Sequence, residues 1–296
     1  MENFHPSYYS DCINVGDFRL LIETPSEELP TGDTPDKEIF LNLNFEAHSI
    51  TSSINGRKFV FPPTPILTQR NDFEKEGLKC DLSANCNPSD LHCWCTHVVE
   101  VGYNKVIQLV VSAIGTSDHQ HPFHFHGHHF HVVKVGYSTY SNTTNSILHH
   151  NNDIYCADSA CHHSCINTHC TQPSWSNEFD SIISIDGKTP KKDTAIIPAG
   201  GYLVVRIISD NPGAWLVHCH ILVHATDGMA MILNVAPDYQ NPPPEGFPKC
   251  GNFKINTNQI YEKLQFVPSV GYRETSCFVL IGALFHFFLV AYLLSS

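Results

Sequence analysis

A short segment around residue 219 carries three kinds of metal-binding side chain. It reads Trp215-Leu-Val-His-Cys-His-Ile-Leu-Val-His-Ala-Thr-Asp-Gly-Met229, so that an imidazole follows Cys219 after five positions and a thioether follows it after ten. A blue-copper site holds its metal with two imidazole nitrogens and one thiolate in a trigonal plane, and with a weakly bound axial methionine. Cys219, His224 and Met229 could therefore provide three of the four ligands of such a site.

Two further histidines, His218 and His220, flank Cys219 directly. In an extended segment, successive side chains alternate between two faces. The two imidazoles would then point to one side and the thiol to the other. One peptide would serve two metal centres, with a covalent path between them. This arrangement suits an enzyme that takes up electrons at one copper ion and uses them at another.

The stretch His121-Pro-Phe-His-Phe-His-Gly-His-His-Phe-His131 supplies more imidazoles, with six histidines in eleven positions. His121 could complete the blue-copper site. His124 and His126 are two positions apart, so an extended segment would turn both toward a separate metal group. The remaining histidines of the stretch are expected to pack or to hydrogen-bond the ligand imidazoles rather than to bind metal: His128, His129 and His131.

The two motifs together resemble those of the C-terminal domain of laccase-type multicopper oxidases. In that family the first motif reads His-Pro-x-His-x-His-Gly, and the second reads His-Cys-His-x-x-x-His with an axial residue five positions further on. The resemblance implies that type 1 copper is held by His121, Cys219 and His224, with Met229 axial. It assigns the ligands of type 2 copper and of the type 3 pair as follows: His124 for type 2; His126, His218 and His220 for type 3.

Four connecting segments extend the resemblance over residues 38 to 250, where they look like those of animal laccases: Ile66–Gln69, Cys93–His97, Asp193–Pro198 and Asp210–Gly213. The implied fold is a cupredoxin-like Greek-key β-sandwich. The implied reaction is one-electron oxidation of a phenolic or other small reducing substrate at type 1 copper. Electrons would pass through the catalytic residues Cys219, His218 and His220, and dioxygen would be reduced to water.

The chain departs from the family pattern in one respect. A complete type 2/type 3 cluster uses eight histidines, four of them from an N-terminal domain, whereas this chain supplies only four. We therefore expect it to be the last domain of a larger oxidase, completed by missing N-terminal domains or by a partner chain. The alternatives are a mononuclear blue-copper electron carrier and a non-catalytic copper-binding or interaction domain.

Composition narrows the function classes further. The chain has 17 basic and 29 acidic residues and a net charge of −12, which disfavours a nucleic-acid-binding protein. Hydrophobic residues make up 42% of the chain and charged residues 16%, enough for a sizeable core. Its twelve cysteines favour disulfides in an extracellular or secretory compartment. A single glycosylation sequon at Asn142 agrees with that compartment.

Short runs rich in valine, isoleucine and aromatic residues predict an all-β fold with antiparallel strands. The predicted strands are Ile39–Glu46, Val106–Ser112, Phe130–Val135, Tyr202–Ile208, Trp215–His218 and Met229–Val235. The first alternates apolar and polar residues, which predicts a half-buried strand. Residues 210–213, Asp-Asn-Pro-Gly, predict a turn that leads into the strand carrying the Cys219 motif.

An insertion at about residues 137–192 is less regular and rich in cysteine and histidine. It contains four closely spaced cysteines: Cys156, Cys161, Cys165 and Cys170. Two local disulfides are the favoured interpretation. Structural zinc bound by the four thiolates, with nearby imidazoles, is the alternative.

The ends of the chain are assigned by their composition. Residues 1–37 are polar, show no signal peptide, and are expected to be a linker or the remnant of a preceding domain. Residues 251–276 are a second linker. Residues 277–294 are almost wholly apolar and approach the ~20 residues needed to span a bilayer. We expect this hydrophobic helix to anchor the chain to a membrane, as a span or as a lipid-anchor signal, with a buried core helix as the alternative.

Overall fold

The computed structural model describes residues 15–46, 51–76, 78–81, 93–115, 119–141, 143–144, 146–156, 170–176 and 185–250. These residues divide into two compact units. The larger unit comprises the described residues up to 60 and from 78 to 240, and the smaller comprises residues 61–77 and those from 241 onward. All strands and both metal motifs lie in the larger unit.

The described residues are mostly β-strand, which confirms the predicted fold class. The strands, numbered along the chain, are β1 Lys37–Glu46, β2 Thr51–Ile54, β3 Arg57–Phe59, β4 Cys93–Cys95, β5 Val98–Val101, β6 Val106–Ser112, β7 His121–Phe125, β8 Phe130–Gly136, β9 Thr139–Tyr140, β10 Ile147–His149, β11 Ile154–Cys156, β12 Pro173–Trp175, β13 Lys191–Lys192, β14 Thr194–Ile197, β15 Tyr202–Ile208, β16 Gly213–Cys219 and β17 Ala230–Val235. The helices are α1 Arg70–Glu76, α2 Leu222–Thr226 and three 3₁₀ turns at Val15–Asp17, Ser26–Glu28 and Pro237–Tyr239.

Two large sheets form the body of the larger unit. One has eight strands in the order β13-β8-β15-β6-β1-β2-β3-β4, and the other has five in the order β14-β7-β16-β17-β5. Their inner faces share one hydrophobic core, to which β1, β6 and β15 contribute from one sheet and β7, β16 and β17 from the other. The larger unit is therefore a β-sandwich. The strands that carry the two metal motifs, β7 and β16, both lie in the five-stranded sheet.

The strand directions differ from the antiparallel expectation. Most neighbouring strands are antiparallel, but β1 pairs with β6, β3 with β4, and β5 with β17 in parallel. Each parallel pair joins strands that are far apart in sequence, because a parallel pair cannot be closed by a tight hairpin.

Strand β1 is buried on both faces rather than on one. Its residues Ile39, Leu41, Leu43 and Phe45 face the core as predicted. Asn42 and Asn44 are also almost fully buried. The amide of Asn42 donates to the carbonyl of Ile114, and that of Asn44 donates to the carbonyl of Cys170. The insertion thus covers the face of β1 that its polar residues would otherwise present to water.

The same insertion covers neighbouring strands. Ile154, Cys156 and Cys170 pack with Val110 of β6 and Val204 of β15 in a second apolar cluster. This burial explains why β6 and β15 carry the apolar residues Val110 and Val204 on the face that points away from the main core.

Two disulfides lie within the described residues, Cys80–Cys95 and Cys156–Cys170. The second shows that the four-thiolate zinc alternative is wrong, because two of its four sulfurs are bonded to each other. Several residues of the sequence predictions lie outside the described part of the chain: Cys12, Cys86, Cys161, Cys165 and Asn142.

The smaller unit contains α1 and the stretch 241–250. There the side-chain amide of Gln69 donates to the carbonyl of Cys250 and its oxygen accepts the Cys250 N–H. Within the described residues, no helix has both the length and the apolar character needed to cross a bilayer. The predicted linker 251–276 and the hydrophobic segment 277–294 lie outside the described residues.

Candidate metal centre

The two ligand motifs lie on neighbouring strands. β7 and β16 are antiparallel, and their register places His124 opposite His218 and Phe123 opposite Cys219. Burial alternates along β7 and over the last three residues of β16, Val217 to Cys219. As a result, Cys219 and His121 point into the core, whereas His124 and His218 point to the opposite face of the sheet. This is the separation that the sequence predicts from the two-residue period of a strand.

A buried cluster lies on the core side of the sheet. The Sγ atom of Cys219 is 3.7 Å from Nδ1 of His121 and 3.7 Å from Nδ1 of His224, and the two Nδ1 atoms are 3.2 Å apart. All three residues are buried. One sulfur and two imidazole nitrogens therefore converge on a single point.

Burial also sets the protonation of this cluster. It lowers the pKa of His121 to about 3, with smaller contributions from His224 and His119. It lowers the pKa of His224 to about 4, with a contribution from His119. The pKa of the Cys219 thiol rises to about 11 because burial disfavours its anion. At neutral pH both imidazoles are uncharged and have a lone pair to donate, and a bound cation would displace the thiol proton.

The donor set fits copper. Two neutral imidazoles and one thiolate in a buried pocket are the ligands of a blue-copper site. Met229, the predicted axial residue, is fully buried. Its N–H donates to the carbonyl of His224, and its own carbonyl accepts the N–H of Cys219. The chain thus fixes Met229 beside two of the three converging residues.

Phe45 is part of this cluster, although the sequence did not single it out. Its ring lies 4.1 Å from that of His224 and 6.5 Å from that of His121, measured between centroids. It also contacts the ring of His119. The only available sequence signal is that Phe45 is the last inward-facing apolar residue of β1.

A second, more exposed cluster lies on the opposite face. His124, His126 and His218 each offer a ring nitrogen within 4.8 Å of the others. The Nε2 atoms of His126 and His218 are 3.2 Å apart. His220 adjoins them, with its ring centroid 5.5 Å from that of His124 and 5.8 Å from that of His218. The structure therefore brings together all four histidines that the sequence assigns to this side.

Hydrogen bonds determine which nitrogens of the exposed cluster are available. Nδ1 of His124 lies 2.7 Å from the hydroxyl of Thr194 and 3.1 Å from the carbonyl of Asp193. Nδ1 of His218 donates to the carbonyl of Cys219 over 2.8 Å. With their Nδ1 atoms engaged, both rings leave Nε2 for a metal. Burial and neighbouring histidines lower the pKa of His126, so that this ring too favours its neutral form.

The remaining histidines of the first motif stay outside both clusters. His128 and His131 are buried, and the ring of His128 packs edge-on against Trp215. Burial lowers the pKa of His131 to about 4. His129 is exposed. The packing role predicted for this group therefore holds for His128 and His131.

Fold and site together define a β-sandwich with two adjoining sets of copper-type ligands. Residues 59–239 match the family model described as multicopper oxidase. The chain belongs to the multicopper oxidase family.

Plant laccases are among the curated relatives of the chain. Laccase-22 of Oryza sativa subsp. japonica is 27% identical over 76% of this chain and 38% of its own length. Laccase-10 of Arabidopsis thaliana is 27% identical over 68% of this chain and 33% of its own length. The chain thus spans about a third of the length of the relatives it matches.

The sequence identity to solved structures is lower than that to the curated laccases. Fet3p, a multicopper oxidase that functions in iron import, aligns with 90% of this chain and 42% of its own, at 17% identity and a TM-score of 0.48. The laccase of Botrytis aclada aligns with 85% of this chain and 36% of its own, at 20% identity and a TM-score of 0.45.

Proposed function

We propose that this chain is the part of a laccase-type oxidase that holds type 1 copper and half of a type 2/type 3 cluster. His121, Cys219 and His224 would bind type 1 copper, with Met229 axial. The ligands on the other face would be His124 for type 2 copper and His126, His218 and His220 for the type 3 pair. The observation that carries the proposal is that Cys219 faces one cluster while its immediate neighbours contribute to the other.

The protein would shield the proposed type 1 site from water and connect it to the exposed cluster. Copper, when bound, supplies a one-electron redox couple that these side chains lack. Burial of His121 and Cys219 keeps water from the inner ligands, and Phe45 covers the ring of His224. The backbone joins Cys219 to His218, and the bond from His218 Nδ1 to the Cys219 carbonyl adds a second short link. The two clusters are thus connected by a few bonds.

The proposed reductant is a phenolic or related small organic donor, with dioxygen as the acceptor. The laccase relatives support this class of reaction. A ferrous substrate would need spare carboxylates near His224, and the acidic residue nearest to it in sequence is Asp227. That carboxylate forms an ion pair with Lys58 and accepts the N–H of Ser52. Because this carboxylate is already bound to Lys58 and Ser52, it is not a spare ligand for iron, which favours the organic donor.

The other half of the type 2/type 3 cluster would come from a further domain or a partner chain. His126 and His220 are exposed, so their rings are accessible to ligands from another surface. The chain's four histidines on this face are half of the eight that the family's cluster uses. Its length, about a third of that of its relatives, agrees with this division.

We also propose a secretory location. The two disulfides whose cysteines both lie within the described residues support an oxidising compartment. Attachment to a membrane through residues 277–294 is the finer proposal. Recovery of the chain in the membrane fraction, and its release when those residues are removed, would support it.

The decisive experiment loads the 296-residue chain with copper and records its optical and spin-resonance spectra. An intense blue band is expected, and Cys219→Ser should abolish it because the thiolate–copper bond gives rise to the colour. His128→Gln is the matched control, since it replaces a buried histidine of the same motif that lies outside both clusters. If the colour survives in Cys219→Ser, the ligand assignment is wrong.

A further inference from the structure

An ion pair lies beside the loop that carries two of the proposed type 1 ligands. Nζ of Lys58 in β3 is 2.8 Å from Oδ1 of Asp227, and the Lys58 side chain is only 6% exposed. The other carboxylate oxygen, Oδ2, accepts the N–H of Ser52 in β2 over 2.6 Å. The ring of Trp94 covers the ammonium group at 4.6 Å. Asp227 is therefore held from two strands of the eight-stranded sheet.

Asp227 belongs to the turn between His224 and Met229. It ends α2, and its N–H donates to the carbonyl of Val223. Met229 donates its N–H to the carbonyl of His224 and accepts that of Cys219. The backbone from His224 to Met229 is thus a closed turn, and Asp227 is the residue whose side chain anchors it to β2 and β3.

Gly228 brings the turn into direct contact with β3. Its carbonyl accepts the N–H of Phe59 over 3.0 Å. A Cβ atom at this position would come within 2.5 Å of Lys58 Cγ and 2.9 Å of Phe59 N, and φ is +118°. The turn therefore lies against Lys58 without space between them, so a change at Lys58 is transmitted to the backbone next to Met229.

We propose that Lys58 and Asp227 are positioning residues for the type 1 copper site, holding the turn 224–229 so that His224 and Met229 keep their places relative to Cys219. This inference rests on the proposed function for its copper readout. Residues that orient metal ligands typically change metal affinity by about 10–100-fold when they are replaced. A surface ion pair has no such effect, because it contacts no ligand-bearing segment.

The test uses Lys58→Met and Asp227→Asn in the 296-residue chain. The first removes the ammonium and retains an unbranched side chain. The second retains an acceptor for Ser52 and removes the charge. Lys105→Met is the matched control, since Lys105 pairs with Asp36 over 3.1 Å at the exposed surface of the same unit. Copper affinity at the blue site is measured by competition with a chelator, together with the blue band and the copper hyperfine splitting.

We expect copper affinity to fall about tenfold in Lys58→Met and in Asp227→Asn, with altered band intensity and hyperfine splitting. Lys105→Met should match the wild type. The double variant should lose about as much as either single variant rather than the product of both losses, because the two residues act as one unit. Affinity and spectra equal to those of Lys105→Met in both single variants would overturn the proposal. If Lys58→Met does not fold, Asp227→Asn decides.

A copper-free measurement separates this inference from the proposed function. Amide hydrogen exchange at Met229 and Cys219, whose N–H groups close the turn, should be faster in Lys58→Met than in Lys105→Met. If the wild type shows no blue band but exchange changes as expected, the proposed function fails, and the ion pair is shown to hold the turn 224–229 without a copper site. If the band is present and neither exchange nor spectra respond, only the positioning role fails.

Discussion

The two clusters differ in the nitrogen atoms that their histidines present. On the core side, His121 and His224 converge through Nδ1. On the exposed side, His126 and His218 approach each other through Nε2. The difference follows from hydrogen bonding, because Nδ1 of His218 is already engaged with a backbone carbonyl. Such local partners fix which tautomer and which ring edge can meet a metal.

Another buried histidine, His97, provides a test of how burial controls charge. Burial, with a contribution from Arg57, lowers its pKa to about 3. In the unfolded chain His97 binds a proton near its ordinary pKa of about 6.5. The unfolded state therefore binds more protons between these values, so this residue's contribution to stability is complete above about pH 6.5 and is lost as the pH falls toward 3.

His97→Gln should reduce the loss of stability in acid. Between about pH 6 and about pH 5, the copper-free wild type should lose roughly 1 kcal/mol more unfolding free energy than the variant. Urea denaturation at both pH values measures the difference. His129→Gln, which replaces an exposed histidine, should behave as the wild type does. Equal losses in wild type and His97→Gln would contradict the assigned cause.

At the scale of elements, close packing between β16 and the turn after β7 holds the first motif in place. Gly127 follows His126 at a φ of +70°. Its carbonyl accepts the amide of Asn211, and the carbonyl of Asn211 accepts the indole N–H of Trp215. A Cβ atom on Gly127 would come within 2.3 Å of the Trp215 ring.

Gly127→Ala should therefore destabilise the fold by about 2–4 kcal/mol, the sum of a left-handed backbone strain and overpacking against a ring. The unfolding free energy from chemical denaturation gives the magnitude. Gly102→Ala is the control, because the nearest atom to its added Cβ is the flexible Cγ of Lys105 at 3.4 Å. Similar stability in the two variants would show that Trp215 adapts without cost.

The elements that the sequence predicted well are those with a clear local pattern. Val106–Ser112 and Tyr202–Ile208 match β6 and β15 residue for residue, since each is a run of β-branched and apolar residues between turns. The burial of Asn42 and Asn44 could not be predicted, because it depends on contacts with Ile114 and Cys170, which are distant in sequence.

In the candidate site, too, features with a local sequence pattern could be predicted and contacts between distant segments could not. The spacing of the residues alone predicted that Cys219 and its two histidine neighbours point to opposite faces of the sheet. The contacts of Phe45 with His224 and of Lys58 with Asp227 join segments more than 150 residues apart. No local pattern marks either contact. Sequence reasoning thus found the side chains that converge in the two clusters but not the residues that contact them.

For the whole molecule, the main consequence of the proposed function is that the oxygen-reducing cluster would be divided between two domains or chains. Four histidines lie on the exposed face of the five-stranded sheet, and His126 and His220 are open to solvent. On the proposed function, the rest of the cluster would belong to another domain or a partner chain. Electron uptake and oxygen reduction would then depend on different parts of the assembly.

The copper-loaded chain by itself should therefore show one blue copper per chain, a substoichiometric type 2/type 3 signal, and oxygen uptake at least about a hundredfold below that of a complete laccase, a loss comparable to that caused by removing a catalytic group. Copper analysis, spin resonance and an oxygen electrode make the measurement. His126→Gln should weaken the type 2/type 3 signal while leaving the blue band in place. Full oxygen uptake by the isolated chain would contradict the division.

The alternating faces of β16 have a genetic consequence. Inserting one residue between positions 217 and 218 would shift the next three side chains by one position, which would turn the sulfur of Cys219 toward solvent and its neighbouring imidazoles into the core. Both metal sets would be lost in one event. On the proposed function, a natural descendant that keeps the blue colour but gives up oxygen chemistry would therefore lose histidines of the exposed cluster by substitution, with the length of this peptide unchanged.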